Sequence, residues 1–136
     1  MGARTKRLHH SLEVWKESMD LVQIVYEATA HFPSHEVFSL TSQIRRSAVS
    51  VPSNIAEGMG RGSVPDLLRF LKIARGSLCE LETQFQLASR LGYLGERQEE
   101  NVFQVIDMVF RLLSGFIKSK SRVSASGNAF DSPPCP

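Results

Sequence analysis

A chain of 136 residues with 42% hydrophobic and 22% charged side chains has the size and composition of one soluble domain with a real core. No apolar run approaches the roughly 20 residues needed to span a bilayer, which excludes a membrane-spanning helix, and the basic start lacks the apolar stretch of a secretory signal. The net charge of +2 is too small to mark a strongly polyanion-binding domain by itself. The cytoplasm is therefore the expected compartment.

Residues 1–10 read as a basic flexible arm, residues 11–120 as the folded domain, and residues 121–136 as a disordered tail rich in Ser and Pro. Ser11 is a fair cap for a first helix, with Glu13 in its opening turn. Trp15, Met19, Val22 and Tyr26 form one apolar stripe, widened by Leu21 and Val25. Phe32 precedes Pro33 and is pushed out of helical geometry, so this helix should end near His31.

The second helix, LTSQIRRSAVSVPSNIAEGMGR over Leu40–Arg61, carries two stripes. Leu40, Ile44, Ala48, Val51, Ile55 and Met59 make the apolar one. Gln43, Arg46, Ser50, Ser53 or Asn54, Glu57 and Arg61 make the polar one. Pro52 between them removes the hydrogen bond to the Ala48 carbonyl, at a cost of roughly 3 kcal/mol unless packing compensates. Ser50 and Asn54 are placed to satisfy that carbonyl. Gln43, Ser50, Pro52, Asn54 and Glu57 thus form a candidate structural polar network, with a partner or subunit contact as the other reading. Gly58, Gly60 and Gly62 mark the helix end.

Ser63 caps a third helix, with Pro65 and Asp66 in its first turn. Its core stripe of Leu67, Leu71, Ala74, Leu78, Leu81, Phe85 and Ala88 alternates steps of four and three, as in bundle packing. Gly92 and Gly95 bracket a turn. The fourth helix runs from about Glu96 to Lys120, with Val102, Ile106, Val109, Leu113 and Phe116 in one stripe and Phe103, Phe110 and Ile117 in a second. So wide an apolar face makes this helix either deeply central or a contact with another subunit. Four helical patterns with short turns and no strand pattern predict an all-α, antiparallel up-and-down four-helix bundle.

Chemistry is sparse. His31 and His35 are separated by Pro33 and gain no third ligand, so neither a metal nor any other cofactor is expected. The glycines around Arg61 follow a helix and lack the lysine of a phosphate loop. Ser47, Ser50 and Ser53 have no neighbouring histidine, and Glu57 and Glu80 stand singly, so no enzyme is expected. Cys79 reads as a structural thiol and Cys135 as an incidental one in the tail. The basic set is the best lead. Arg45, Arg46, Arg61, Arg69, Lys72 and Arg75 could line one side of the hairpin of the second and third helices, matched to a phosphate backbone. A solvated face paired with Asp66, Glu80 and Glu82 explains the same residues.

The strings LTSQIRRSAVSVPSNIAEGMGR and RFLKIARGSLCELETQFQLASRLGYL, with LEVWKESMDLVQIVYEATAHFP before them, closely resemble the four-helix bundle proteins encoded in 23S rRNA intervening sequences. The resemblance covers roughly Leu12–Lys120. It implies a homopentamer without known catalytic activity. The chain is also similar to the accessory protein of diversity-generating retroelements, a pentameric barrel that binds nucleic acid and a reverse transcriptase. For this chain the resemblance implies nucleic-acid binding through the basic face, or else an adaptor that docks a protein such as a reverse transcriptase.

Overall fold

The computed structural model describes residues 4–127; the expectations for Met1–Ala3, for residues 128–136 and for Cys135 lie outside them. Four long helices follow in order: α1 Glu13–Thr29, α2 Leu40–Gly60, α3 Val64–Arg90 and α4 Glu96–Gly127, with no strand among the described residues. Short 3-10 turns at Leu8–Ser11 and Ser34–Glu36 precede α1 and α2. Each helix packs on its neighbours in sequence, α4 closes back on α1, and the diagonal pairs make no close backbone approach among the described residues. That ring of contacts is the arrangement of an up-and-down bundle. No helix among the described residues is long and apolar enough to cross a membrane.

The apolar stripes of α2, α3 and α4 meet on the bundle axis. Ile44, Ala48, Val51, Ile55, Leu71, Ala74, Leu78, Leu81, Phe85, Ala88, Val102, Ile106, Val109 and Leu113 are wholly buried. At the start of α3 the Ser63 hydroxyl accepts from the Asp66 backbone N–H at 3.3 Å, as the sequence predicts. In α4 the second stripe is only half-buried at Phe103 and Phe110, while Ile117 reaches the core. This helix also continues to Gly127, beyond its expected end at Lys120.

The first helix departs from expectation. Its buried line is Val14, Ser18, Leu21, Val25 and Ala28, whereas Met19 and Tyr26 are exposed. Ser18 can be buried because its hydroxyl donates to the Trp15 carbonyl at 2.8 Å. Trp15 itself is half-buried against the N-terminal turn, its ring 5.2 Å from those of both His9 and His10. Desolvation, then the neighbouring His10 and Arg7, hold the His9 imidazole below its ordinary range. Ser11 does not cap α1; its hydroxyl donates to the Leu8 carbonyl inside the 3-10 turn. Cys79, one position past the buried Leu78 and about 100° round the helix, is exposed rather than structural.

The tightest glycine contact in the fold is at Gly58. A Cβ there would lie 2.9 Å from the Phe70 Cβ and 3.3 Å from the Leu67 carbonyl oxygen, so α2 and α3 meet where no side chain fits. Gly62, with φ of 81°, then supplies the left-handed residue that reverses the chain into α3. Gly58→Ala should destabilise the protein by about 1–3 kcal/mol through overpacking. Gly115→Ala, which meets open space on α4, should instead stabilise by about 0.5–1 kcal/mol. Urea unfolding of both variants checks the pair; equal shifts would remove the claim.

Candidate functional site on the α2–α3 hairpin

The polar stripe of α2 faces α3. Ser50 Oγ and Ser77 Oγ are hydrogen-bonded at 2.8 Å, and Asn54 Nδ2 donates to the Ser50 carbonyl at 2.8 Å and to Ser50 Oγ at 2.9 Å. One turn earlier, Ser47 Oγ lies 2.7 Å from Gln84 Oε1. These contacts make a hydroxyl and amide ladder along the seam of the two helices. Ser50 and Asn54 therefore join the network, but they do not serve the Ala48 carbonyl. Pro52 is buried five positions beyond Ser47, on the α1 flank of α2, and the helix runs unbroken through it. Glu57 leaves the network for an ion pair with Arg61, and Gln43 lines the cleft above the ladder without a side-chain hydrogen bond among the described residues.

That cleft, about 330 Å³, has Ser47, Ser50, Ser77 and Gln84 as its floor, with Arg46 and Glu80 at its edges. Ser47, Ser77 and Gln84 are not among the residues that the sequence pattern nominates. Their signal is nonetheless present: Ser77 and Gln84 stand seven apart, and Ser47 continues the spacing of Ser50 and Asn54.

The six basic residues do not share one face. Arg45 turns toward α1, where its Nε donates to Thr29 Oγ1 at 2.9 Å and its guanidinium lies 4.5 Å above the Tyr26 ring. Arg61 and Arg69 converge on Phe70 from the two sides of the α2–α3 turn, at 4.9 and 4.6 Å from the ring centre. Arg61 also holds Glu57 at 2.8 Å, and Arg69 lies 3.7 Å from Asp66. Arg46 stands apart at the polar cleft. Steps of three on a helix fall about 60° short of a full turn, so Arg69, Lys72 and Arg75 walk round α3 by about 120°. Arg75 ends on the flank that carries Ser89, whose hydroxyl is bonded to Glu99 of α4. Arg46, Lys72 and Arg75 make no hydrogen bond or ion pair among the described residues.

A second concavity, about 750 Å³, opens between the end of α1, the connector and the outer face of α2. Tyr26, Val37, Phe38 and Val49 supply apolar walls, and Arg45 and Arg46 are the only charged side chains lining it among the described residues. Phe38 is 98% exposed. Thr41 at this groove is buried, and its hydroxyl has no hydrogen-bond partner among the described residues. His31 and His35 are exposed on separate segments, and no group of three potential metal ligands forms among the described residues.

Residues 10–115, which include every residue of the hairpin, match the sequence profile described as 23S rRNA-intervening sequence protein. The chain belongs to that family. Among solved structures, this 23S rRNA-intervening sequence protein is similar to a protein with unknown function from the S23 ribosomal protein family of Bacteroides thetaiotaomicron. The two are 28% identical with a TM-score of 0.70, over 77% of this chain and 95% of the other. No curated protein matches it.

The ladder's energetic role is open to a double-mutant cycle. Ser50→Ala and Ser77→Ala should couple by about 1 kcal/mol, because losing Ser50 leaves the half-buried Ser77 hydroxyl without its partner, and losing Ser77 leaves Ser50 only its bond from Asn54. Arg46→Ala should change stability by no more than about 0.5 kcal/mol. Urea unfolding of the two singles, the double and Arg46→Ala checks this; additive serine effects would show that the hydroxyl contact does not hold the hairpin.

Proposed function

We propose that this 23S rRNA-intervening sequence protein acts without catalysis, as a homopentamer that binds nucleic acid through the α2–α3 hairpin. The observation that carries the reading is the pair of guanidiniums on Phe70. Arg61 stands directly after α2 and Arg69 lies in α3, both are exposed, and both are pre-oriented by one ring. Lys72 on the same helix adds a cation without an ion-pair partner among the described residues. Planar guanidiniums fixed in this way suit phosphate oxygens, which position a nucleic acid without reading its sequence. A pentamer repeats the pair around its axis and multiplies a contact that is weak in one copy.

The runner-up is an adaptor that docks another protein, such as a reverse transcriptase, at the cleft edged by Arg46 and Glu80. The mixed charge of that cleft suits a polar protein surface better than a polyanion.

Filter binding of labelled RNA and DNA across a salt series tests the first reading. Affinity should fall steadily with salt, and Arg61→Ala with Arg69→Ala should lower the logarithmic salt slope by about 1 for every phosphate no longer neutralised. Arg45→Ala, engaged with Thr29 and Tyr26, should leave the slope unchanged. Absence of salt-dependent retention would overturn nucleic-acid binding, and a protein capture that survives nuclease and high salt would favour the adaptor.

A further inference from the structure

The α1–α2 groove has a counterpart elsewhere on the same chain. Ile73, Glu80 and Leu87 recur every seven residues on α3, with Leu91 four further on, so they share one exposed stripe. The three apolar members are 44%, 49% and 50% exposed. Glu80 and Leu87 each stand three residues beyond a seam residue, Ser77 and Gln84. The stripe therefore runs just outside the contact with α2, on the neighbouring side of the bundle from the groove.

The two surfaces also lie at one height. The Ser47–Gln84 contact sets the register of the antiparallel pair. It brings Leu87 and Leu91 level with the first turn of α2 and with the connector that carries Val37 and Phe38. One surface is a ridge and the other a groove. Charge is complementary at one point: the groove is lined by Arg45 and Arg46 with no carboxylate among the described residues, while Glu80 stands between the apolar members of the stripe, with Arg69 and Arg90 at its two ends. Glu80 and Arg46 edge the same cleft within one copy yet form no ion pair there.

We propose that the α3 stripe of one copy seats in the α1–α2 groove of the next, with Phe38 closing over it. Leu87 and Leu91 fill the apolar walls formed by Val37, Phe38 and Val49, and Glu80 meets the basic edge. The contact is heterologous, because it joins two different surfaces. Two surfaces at the same height let each added copy turn about an axis parallel to the bundle without a rise, which is the condition for a ring in place of a filament. This inference rests on the self-assembly reading and names the surfaces that would produce it.

The test uses the full chain in light scattering at micromolar concentration. Val49→Glu spoils the groove and Leu87→Glu the stripe; both positions are already exposed, and circular dichroism verifies that each variant stays helical. Each variant alone should fall to the 15.2 kDa mass of one chain. Mixed one to one, they should form a dimer and go no further, since only one intact groove and one intact stripe remain between them. A monomeric unmodified chain would overturn self-assembly and this inference together. An unmodified oligomer whose mass survives both substitutions would overturn the inference and leave self-assembly standing. Variants that become monomeric and fail to pair on mixing would overturn the groove-to-stripe contact in favour of a symmetric one.

Discussion

The separation of α2 and α3 is fixed by what does not stand between them. At one end Gly58 presents bare backbone to Phe70 and to the Leu67 carbonyl. Along the seam the contacts come from Ser47, Ser50, Asn54 and Ser77, with Gln84 as the one long side chain. Small residues let the two backbones approach, and their hydroxyls, bonded in part within α2, complete their hydrogen bonding on the opposite helix. Closeness and hydrogen bonding are therefore one constraint. An alanine ladder would permit the same approach but would not fix the register, whereas each hydroxyl bond is made at one offset only.

That register decides what remains outside. With Ser77 and Gln84 turned to α2, and Leu78, Leu81 and Phe85 turned to the axis, Ile73, Glu80 and Leu87 have no place in the core. On α2, burial of Val51 and Ile55 and the inward turn of Ser47 leave Val49 on the surface beside Arg46. The exposed apolar residues follow from the seam geometry and need no separate explanation within one copy. Why Phe38 stands in solvent at 98% exposure does need one, since a polar residue would serve the connector equally well.

The fold is legible in the sequence where the pattern has one period and fails where two patterns compete. On α3 the unbroken alternation of four and three names every buried residue from Leu67 to Ala88 except Phe70. On α1 the large side chains Trp15, Met19 and Tyr26 draw the stripe one position away from the buried line. Ser18 looks polar in sequence but is silenced by its own helix, and Trp15 is covered by histidines from a segment that reads as a loose arm. For the site, Ser50 and Asn54 are recognisable as a pair, but Pro52 suggests the wrong reason. Whether they bond the Ala48 carbonyl or Ser77 depends on which flank of α2 faces α3, and no local pattern shows that. The arginines mislead for a simpler reason. A step of three residues looks periodic in sequence but drifts round the helix, so Arg69 and Arg75 part company by about a third of a turn.

Under the proposed nucleic-acid reading, the arginines at Phe70 would make a modest net charge a poor guide to phosphate affinity. Both carboxylate partners, Glu57 and Asp66, are about half exposed, and such surface pairs contribute about 0–1 kcal/mol. A phosphate arriving at Arg61 or Arg69 therefore displaces an interaction of little strength. What it would inherit is the ring. Stacking on Phe70 confines each guanidinium near one plane before any ligand arrives, so less side-chain entropy is lost on binding than for a free lysine such as Lys72. In the proposed interface the carboxylates would serve as placeholders, holding the guanidiniums until a polymeric anion outcompetes them. For the proposed interface, two pre-oriented arginines that the charge count treats as neutralised would then matter more than the unpaired cations around it.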